Sequence, residues 1–141
     1  MLPRIVILLS FTGAQVPLSI STDDQGLFRS LLTNEYAKAV QWYDLDYNAL
    51  TELVRNSIEY AFLPGESLYQ DGDYRRLRPE FKKVRGTAWK PSKRARQIIA
   101  ENPKLARQVK LERALLAYDA CLSNGPPSGV QIPIPRNAAR C

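Results

Sequence analysis

Two carboxylates stand side by side at Asp23-Asp24, directly after the apolar run Val16-Pro17-Leu18-Ser19-Ile20 and the hydroxyls of Ser21 and Thr22. Neighbouring aspartates repel each other, so the pair carries a cost unless something uses it. At the end of a buried strand, two carboxylates can ligate a metal, act as general base or accept hydrogen bonds from a substrate. The plainer use is capping, because aspartate satisfies backbone N–H groups at turns and helix N-termini. Taken alone, the pair favours capping. The chain contains no histidine, which removes the commonest metal ligand and proton carrier.

The elements that would position the pair are legible on both sides. Residues 2–12 form an apolar segment expected to be a short helix turning at Thr12-Gly13. Val16 to Ser21 reads as a buried strand, with Pro17 suited to its first residues. Gly26 permits a tight loop after the aspartates. Leu32, Tyr36, Ala39, Val40 and Tyr43 fall at helical spacing, with Thr33 as the expected N-cap. Asp46 is placed to cap a second helix whose stripe is Leu50, Leu53, Val54, Ser57, Ile58, Ala61 and Phe62, and Pro64-Gly65 ends it. Beyond Leu68, turn residues, prolines and dense positive charge predict irregular structure. Ser92 caps a short helix to Ala100, and Asn102-Pro103 opens another reaching Leu122. Gly125-Pro126-Pro127 stops that helix before a loose tail. No internal repeat is present.

Composition bounds the class. The 141 residues suffice for one ordinary domain, and 45% hydrophobic with 24% charged content is that of a globular chain. The net charge of +6 conceals an asymmetry. Residues 1–73 carry four basic and ten acidic groups, whereas residues 74–113 carry fourteen basic and three acidic ones. Cys121 and Cys141 form no CxxC pair and leave the redox compartment open. The start, "MLPRIVILLSFTGAQ", superficially has the layout of a short signal peptide. A core element leading into Val16 is the expected reading, and no run is long enough to span a bilayer. A soluble chain, cytoplasmic rather than exported, is the expectation.

The wider pattern reverses the preference for capping. "VPLSISTDDQGLF" followed by "LTNEYAKAVQWYDLDYNALTELVRNSIEYAFLP" closely resembles the C-terminal end of the adenosine deaminase family of metal-dependent hydrolases. The S-T-D-D strand end, a phenylalanine four residues after the second Asp, an L-T-x-E-Y helix start and an R-N-S-I-E-x-x-F-L helix recur in order. The resemblance covers residues 14–68. It implies an α/β fold, the C-terminal fragment of a (β/α)₈ TIM barrel, comprising its last strand and final helices. Three regions follow: 1–68 as the end of the barrel, 69–123 as a mainly helical basic extension and 124–141 as a flexible tail.

The resemblance also implies a site. Asp23 would ligate the family's single zinc ion, and Asp24 would hydrogen-bond the purine ring at N7. Such a zinc lowers the pKa of its bound water, giving a hydroxide that attacks the adenine C6. Ser21 and Thr22 read as strand-end residues. Gln25 departs from the proline often found there. Glu35, Tyr36, Asn56, Ser57 and Glu59 read as packing and capping positions without catalytic role. The implied substrate is adenosine or a related purine nucleoside. AMP and adenine deaminases share the Asp-Asp element, but the L-T-x-E-Y and N-S-I-E context looks closer to nucleoside deaminases. The family's remaining zinc ligands are histidines, and catalytic zinc needs about three protein ligands. The expectation is therefore a chain inactive alone, whose partner would be a complementary N-terminal barrel fragment. A non-catalytic remnant or interaction module is the first alternative.

Residues 74–113 support a second alternative. Their cations, interleaved with Tyr74, Phe81 and Trp89, have the composition of a nucleic-acid-binding surface. No nucleic-acid fold signature accompanies them, and a charge run is more often a solvated face. A C-terminal extension with Phe81 and Trp89 packed against the body is the preferred expectation.

Overall fold

The computed structural model describes residues 16–22 and 31–124. The apolar segment at residues 2–12, the loop at Gly26 and the tail lie outside the described residues. The chain divides into two compact units, Met1–Phe62 and Leu63–Cys141. The described residues combine helices with one small sheet.

In the first unit, helix α1 spans Leu32–Tyr43 and helix α2 spans Tyr47–Glu59. The N-cap of α1 is Leu31, with no side-chain hydrogen bond. Thr33 lies inside the helix, so its expected capping role fails. Asp46 caps α2 as expected, its carboxylate accepting from Ala49 N–H at 2.7 Å. The stripe of α2 departs from expectation. Leu53 is buried together with the polar Thr51 and Asn56, while Ser57 is exposed and Phe62 fully so. Leu32, Val40, Trp42 and Tyr60 are also exposed. Such apolar surface is what a helix layer presents toward another layer that covers it.

Val16–Thr22 adopts no regular element, against the expected strand. Leu18, Ile20 and Thr22 are half-buried while Val16, Pro17, Ser19 and Ser21 are exposed, so period-two alternation survives without a ladder. A strand exists only through neighbours that pair with its N–H and C=O groups. Among the described residues no second strand does; Leu18 C=O instead accepts from the Asn56 side chain.

The second unit is built around its own core. The segment expected to be irregular is a hairpin, β1 (Tyr69–Gln70) and β2 (Asp73–Leu77). Its turn, Asp71-Gly72, has positive φ at both residues, 54° and 71°. That conformation matches the twist of paired antiparallel strands and favours Asp-Gly. A 3-10 turn (Pro79–Phe81) follows, then α3 (Lys93–Glu101) and α4 (Pro103–Asn124). The caps of both helices are as expected. Ser92 Oγ accepts from Ala95 N–H at 3.1 Å, and Asn102 Oδ1 accepts from Leu105 N–H at 3.1 Å. Leu68, Tyr69, Leu77, Phe81, Val84, Ala95, Leu105 and Val109 form the core, flanked by Tyr74, Trp89, Ile98 and Ile99. Phe81 and Trp89 thus pack with each other, ring centroids 6.4 Å apart, inside the basic segment's own core.

A polar cluster locks this core. Glu112, 1% exposed, receives Arg85 through Nε at 2.7 Å and Nη2 at 2.9 Å, and Tyr69 Oη at 2.8 Å. Arg85 Nη2 also donates to Tyr74 C=O at 2.7 Å. Gln108 accepts from Leu68 N–H at 2.7 Å, and Arg113 donates to the carbonyls of Val84 and Gly86 at 3.0 and 2.6 Å. No buried side-chain nitrogen or oxygen among the described residues lacks a partner. Gly65 is needed for a different reason: at φ +113° an added Cβ would fall 2.1 Å from Asn102 Oδ1.

Removing one member of a buried pair strands the other in a medium that solvates it poorly. Arg85→Met is therefore expected to destabilise the second unit by about 3 kcal/mol. Urea unfolding in a Trp42→Phe background, with Trp89 as the fluorescent reporter, measures it. The double variant Arg85→Met/Glu112→Leu is expected to recover part of the loss.

Candidate functional site

The expected site residues Asp23 and Asp24 lie outside the described residues. What the structure describes is their immediate lead-in and the helix that holds it. Asn56, in the third turn of α2 and only 7% exposed, donates from Nδ2 to the Leu18 carbonyl at 2.8 Å. Leu18 precedes Asp23 by five residues, so this bond anchors the chain that delivers the pair. A buried amide making a bond across 38 residues of sequence fixes a position that local propensity leaves free. The sequence marks Asn56 only as a general packing or capping position. The one clue to more is its place amid an apolar stripe, where a polar residue must find a partner.

The other marked residues of this unit do local work. Glu35 pairs with Lys38 at 2.9 Å on the surface of α1, and Ser57 Oγ donates back to Val54 C=O at 2.7 Å. Thr51 Oγ1 likewise donates to Asn48 C=O at 2.9 Å. Burial raises the pKa of Tyr36, keeping its phenol neutral across the physiological range.

Among the described residues no group of three His, Cys, Asp or Glu side chains is arranged to hold a metal. The whole sequence supplies no histidine. The second unit has an open cleft of about 540 Å³ lined by Glu66, Tyr69, Asp71, Arg76, Arg78 and Glu80, among others. Its charges already neutralise one another: Arg76 with Asp71 at 3.0 Å, Arg78 with Glu66, and Glu80 with Arg94 at 3.6 Å. It offers no uncommitted base or nucleophile among these groups. Among the described residues no helix is long and apolar enough to cross a membrane.

The matches with known proteins fall mainly on the sequence of the first unit. The adenosine deaminase family model matches residues 6–70. An aminodeoxyfutalosine deaminase of Streptomyces coelicolor is 40% identical over 63 residues, 43% of this chain and 16% of that protein. Its counterpart in Streptomyces avermitilis is 43% identical over 53 residues, 38% of this chain and 15% of that protein. An adenosine deaminase of Enterococcus faecalis is 34% identical over 53 residues, with 38% and 16% covered. The chain thus spans 15–16% of the length of the curated relatives it matches. No solved structure matches it.

The Asn56 tether makes a direct expectation. Asn56→Ala leaves the Leu18 carbonyl without its donor, at a cost of about 1–2 kcal/mol. The backbone of residues 16–22 is expected to become more mobile, read as lower amide order parameters by nuclear magnetic resonance relaxation. Amides of the hairpin in the second unit are expected to be unchanged.

Proposed function

With residues 6–70 carrying adenosine deaminase family sequence, we propose that this chain supplies the Asp-Asp element of a purine nucleoside deaminase site. In this reading Asp23 is the carboxylate that faces the metal and Asp24 the one that orients the purine. The family match, which contains Ser21-Thr22-Asp23-Asp24 in order with both following helix motifs, is the observation that supports it. On the same reading Val16–Thr22 is the last strand of a (β/α)₈ barrel, and α1 and α2 belong to its outer layer. The exposed Leu32, Val40, Trp42 and Phe62 accord with helices made to be covered.

The residues present do not fit a complete zinc site. Catalytic zinc takes about three protein ligands, commonly imidazoles, and this sequence has no histidine. One carboxylate does not replace them, so no catalytic step is assigned to this chain alone. Its own contribution is positional. Asn56 holds Leu18, five residues before Asp23. Two adjacent carboxylates can serve two neighbours, one cationic and one a hydrogen-bonding base. The missing ligands come from the remainder of the barrel, which covers the exposed helices. Relatives are named for both adenosine and aminodeoxyfutalosine deamination, so an aminopurine nucleoside is the substrate class. The second reading, a non-catalytic remnant, rests on the same absence of histidine.

The purified chain is expected to hold no stoichiometric zinc and to leave adenosine unchanged, measured by metal analysis and the ultraviolet shift on deamination. Zinc at one per chain with turnover overturns the proposed dependence on outside ligands. Co-expression with a histidine-bearing barrel portion of the family is expected to restore turnover. In that complex Asp23→Ala lowers kcat by at least about 10³-fold. If the complex forms and stays inactive, the remnant reading stands.

A further inference from the structure

The second unit gathers cations that no acid among the described residues neutralises. Lys82, Lys83, Lys90, Lys93 and Arg96 are exposed, and none of their side chains takes part in an ion pair or hydrogen bond among the described residues. Glu80 is the one carboxylate in residues 80–100, and it lies 3.6 Å from Arg94.

The fold draws these groups into one arc. Phe81 and Val84 are fully buried, which turns Lys82 and Lys83, lying between them, out to solvent. α3 buries Ala95 and rests Ile98 and Ile99 on the core, which turns Lys93 and Arg96, one helical step of three apart, outward. α3 packs against the 3-10 turn, and the Arg94–Glu80 pair bridges the same two elements. Lys82 and Lys83 therefore emerge beside the first turn of α3, with Lys90 in the short connection. Like charges so close repel, and the fold tolerates them only because the core beneath is independently secured.

The chemistry around the arc selects its partner. Gly86, Thr87, Ala88, Ser92 and Gln97, which share this surface, are exposed and small or polar. Protein interfaces concentrate their affinity in buried aromatic or aliphatic anchors, and peripheral membrane binding needs apolar groups to insert. The exposed large apolar side chains among the described residues of this unit, Tyr118 and Leu122, stand near the end of α4. A surface of cations without an apolar anchor binds by neutralising a dense line of charge, which is how phosphate backbones are held.

We propose that the arc Lys82–Arg96 binds the phosphate backbone of a nucleic acid, without reading base sequence. Its ammonium and guanidinium groups displace condensed counterions, so affinity is governed by salt. This surface is independent of the deaminase reading, since it lies beyond the family match at residues 6–70.

The test uses the full chain and fluorescein-labelled single-stranded and duplex oligonucleotides of about 20 nucleotides, followed by anisotropy. Saturable binding is expected at low salt, weakening by roughly 100-fold between about 50 and 200 mM salt. Lys82→Gln/Lys83→Gln/Lys90→Gln/Lys93→Gln is expected to flatten the logarithmic salt slope by about three to four. Arg107→Gln/Lys110→Gln, on the exposed side of α4, is expected to leave it within about one. If circular dichroism shows the quadruple variant misfolded, each single variant reads a slope change of about one instead. Absence of binding at the lowest salt overturns the proposal. So does an equal loss per charge in the α4 control, which indicates diffuse net charge. Equal binding to phosphatidylserine vesicles or to polyglutamate overturns it in favour of a membrane or an acidic protein.

Discussion

A single buried carboxylate organises the second unit. Glu112 has lost nearly all contact with water, and an ionised carboxyl in that position is tolerated only when donors surround it. Arg85 and Tyr69 supply them. Because Tyr69 opens the hairpin, Arg85 follows the 3-10 turn and Glu112 belongs to α4, satisfying one charge fixes three segments in register. Arg85 then reaches Tyr74 C=O and ties down the second strand of the hairpin as well. A hairpin this short has little stability of its own in water. Its persistence is a consequence of the network and of the Leu68, Leu77 and Phe81 side chains beneath it.

α4 accordingly works as a spine with a polar inner edge. Asn102, Leu105, Gln108, Val109 and Glu112 recur at steps of three and four, and all are buried. Three of the five are polar, each bonded to a segment distant from the helix axis or to the helix start. Burying hydrogen-bonding groups in this way trades some hydrophobic gain for specificity of partner. It also frees the outer surface from any duty of shielding the core, so the cations of residues 82–96 can face solvent together.

The first unit has the opposite economy. Its buried set among the described residues is small, Ala39, Thr51, Leu53 and Asn56, and much of its apolar surface is exposed. Asn56 still holds Leu18, so the approach to Asp23-Asp24 is defined even where the surrounding layer is not. A site distributed over many strand ends depends on every strand being present. On the proposed reading, the stretch similar to the adenosine deaminase family, residues 6–70, supplies one corner of such a site.

Local signals suffice for much of this. The spacing of Leu32, Tyr36, Ala39 and Tyr43, and the caps Asp46, Ser92 and Asn102, mark four helices because cap and periodicity act over a few residues. The order of S-T-D-D and its helix motifs carries the resemblance to the family. Where the sequence misleads, the deciding contact is distant. Val16–Ser21 has a strand's alternation but no ladder, because pairing needs neighbours that local pattern cannot supply. Thr33 loses its capping role because the cap falls two residues earlier, at Leu31, and the helix begins at Leu32. "QDGD" contains a hairpin turn, yet surrounding charge masks it. Gln108 and Glu112 carry no mark of burial in the sequence; only tertiary structure buries them and Asn56, since a polar side chain enters a core when its partner lies across the fold.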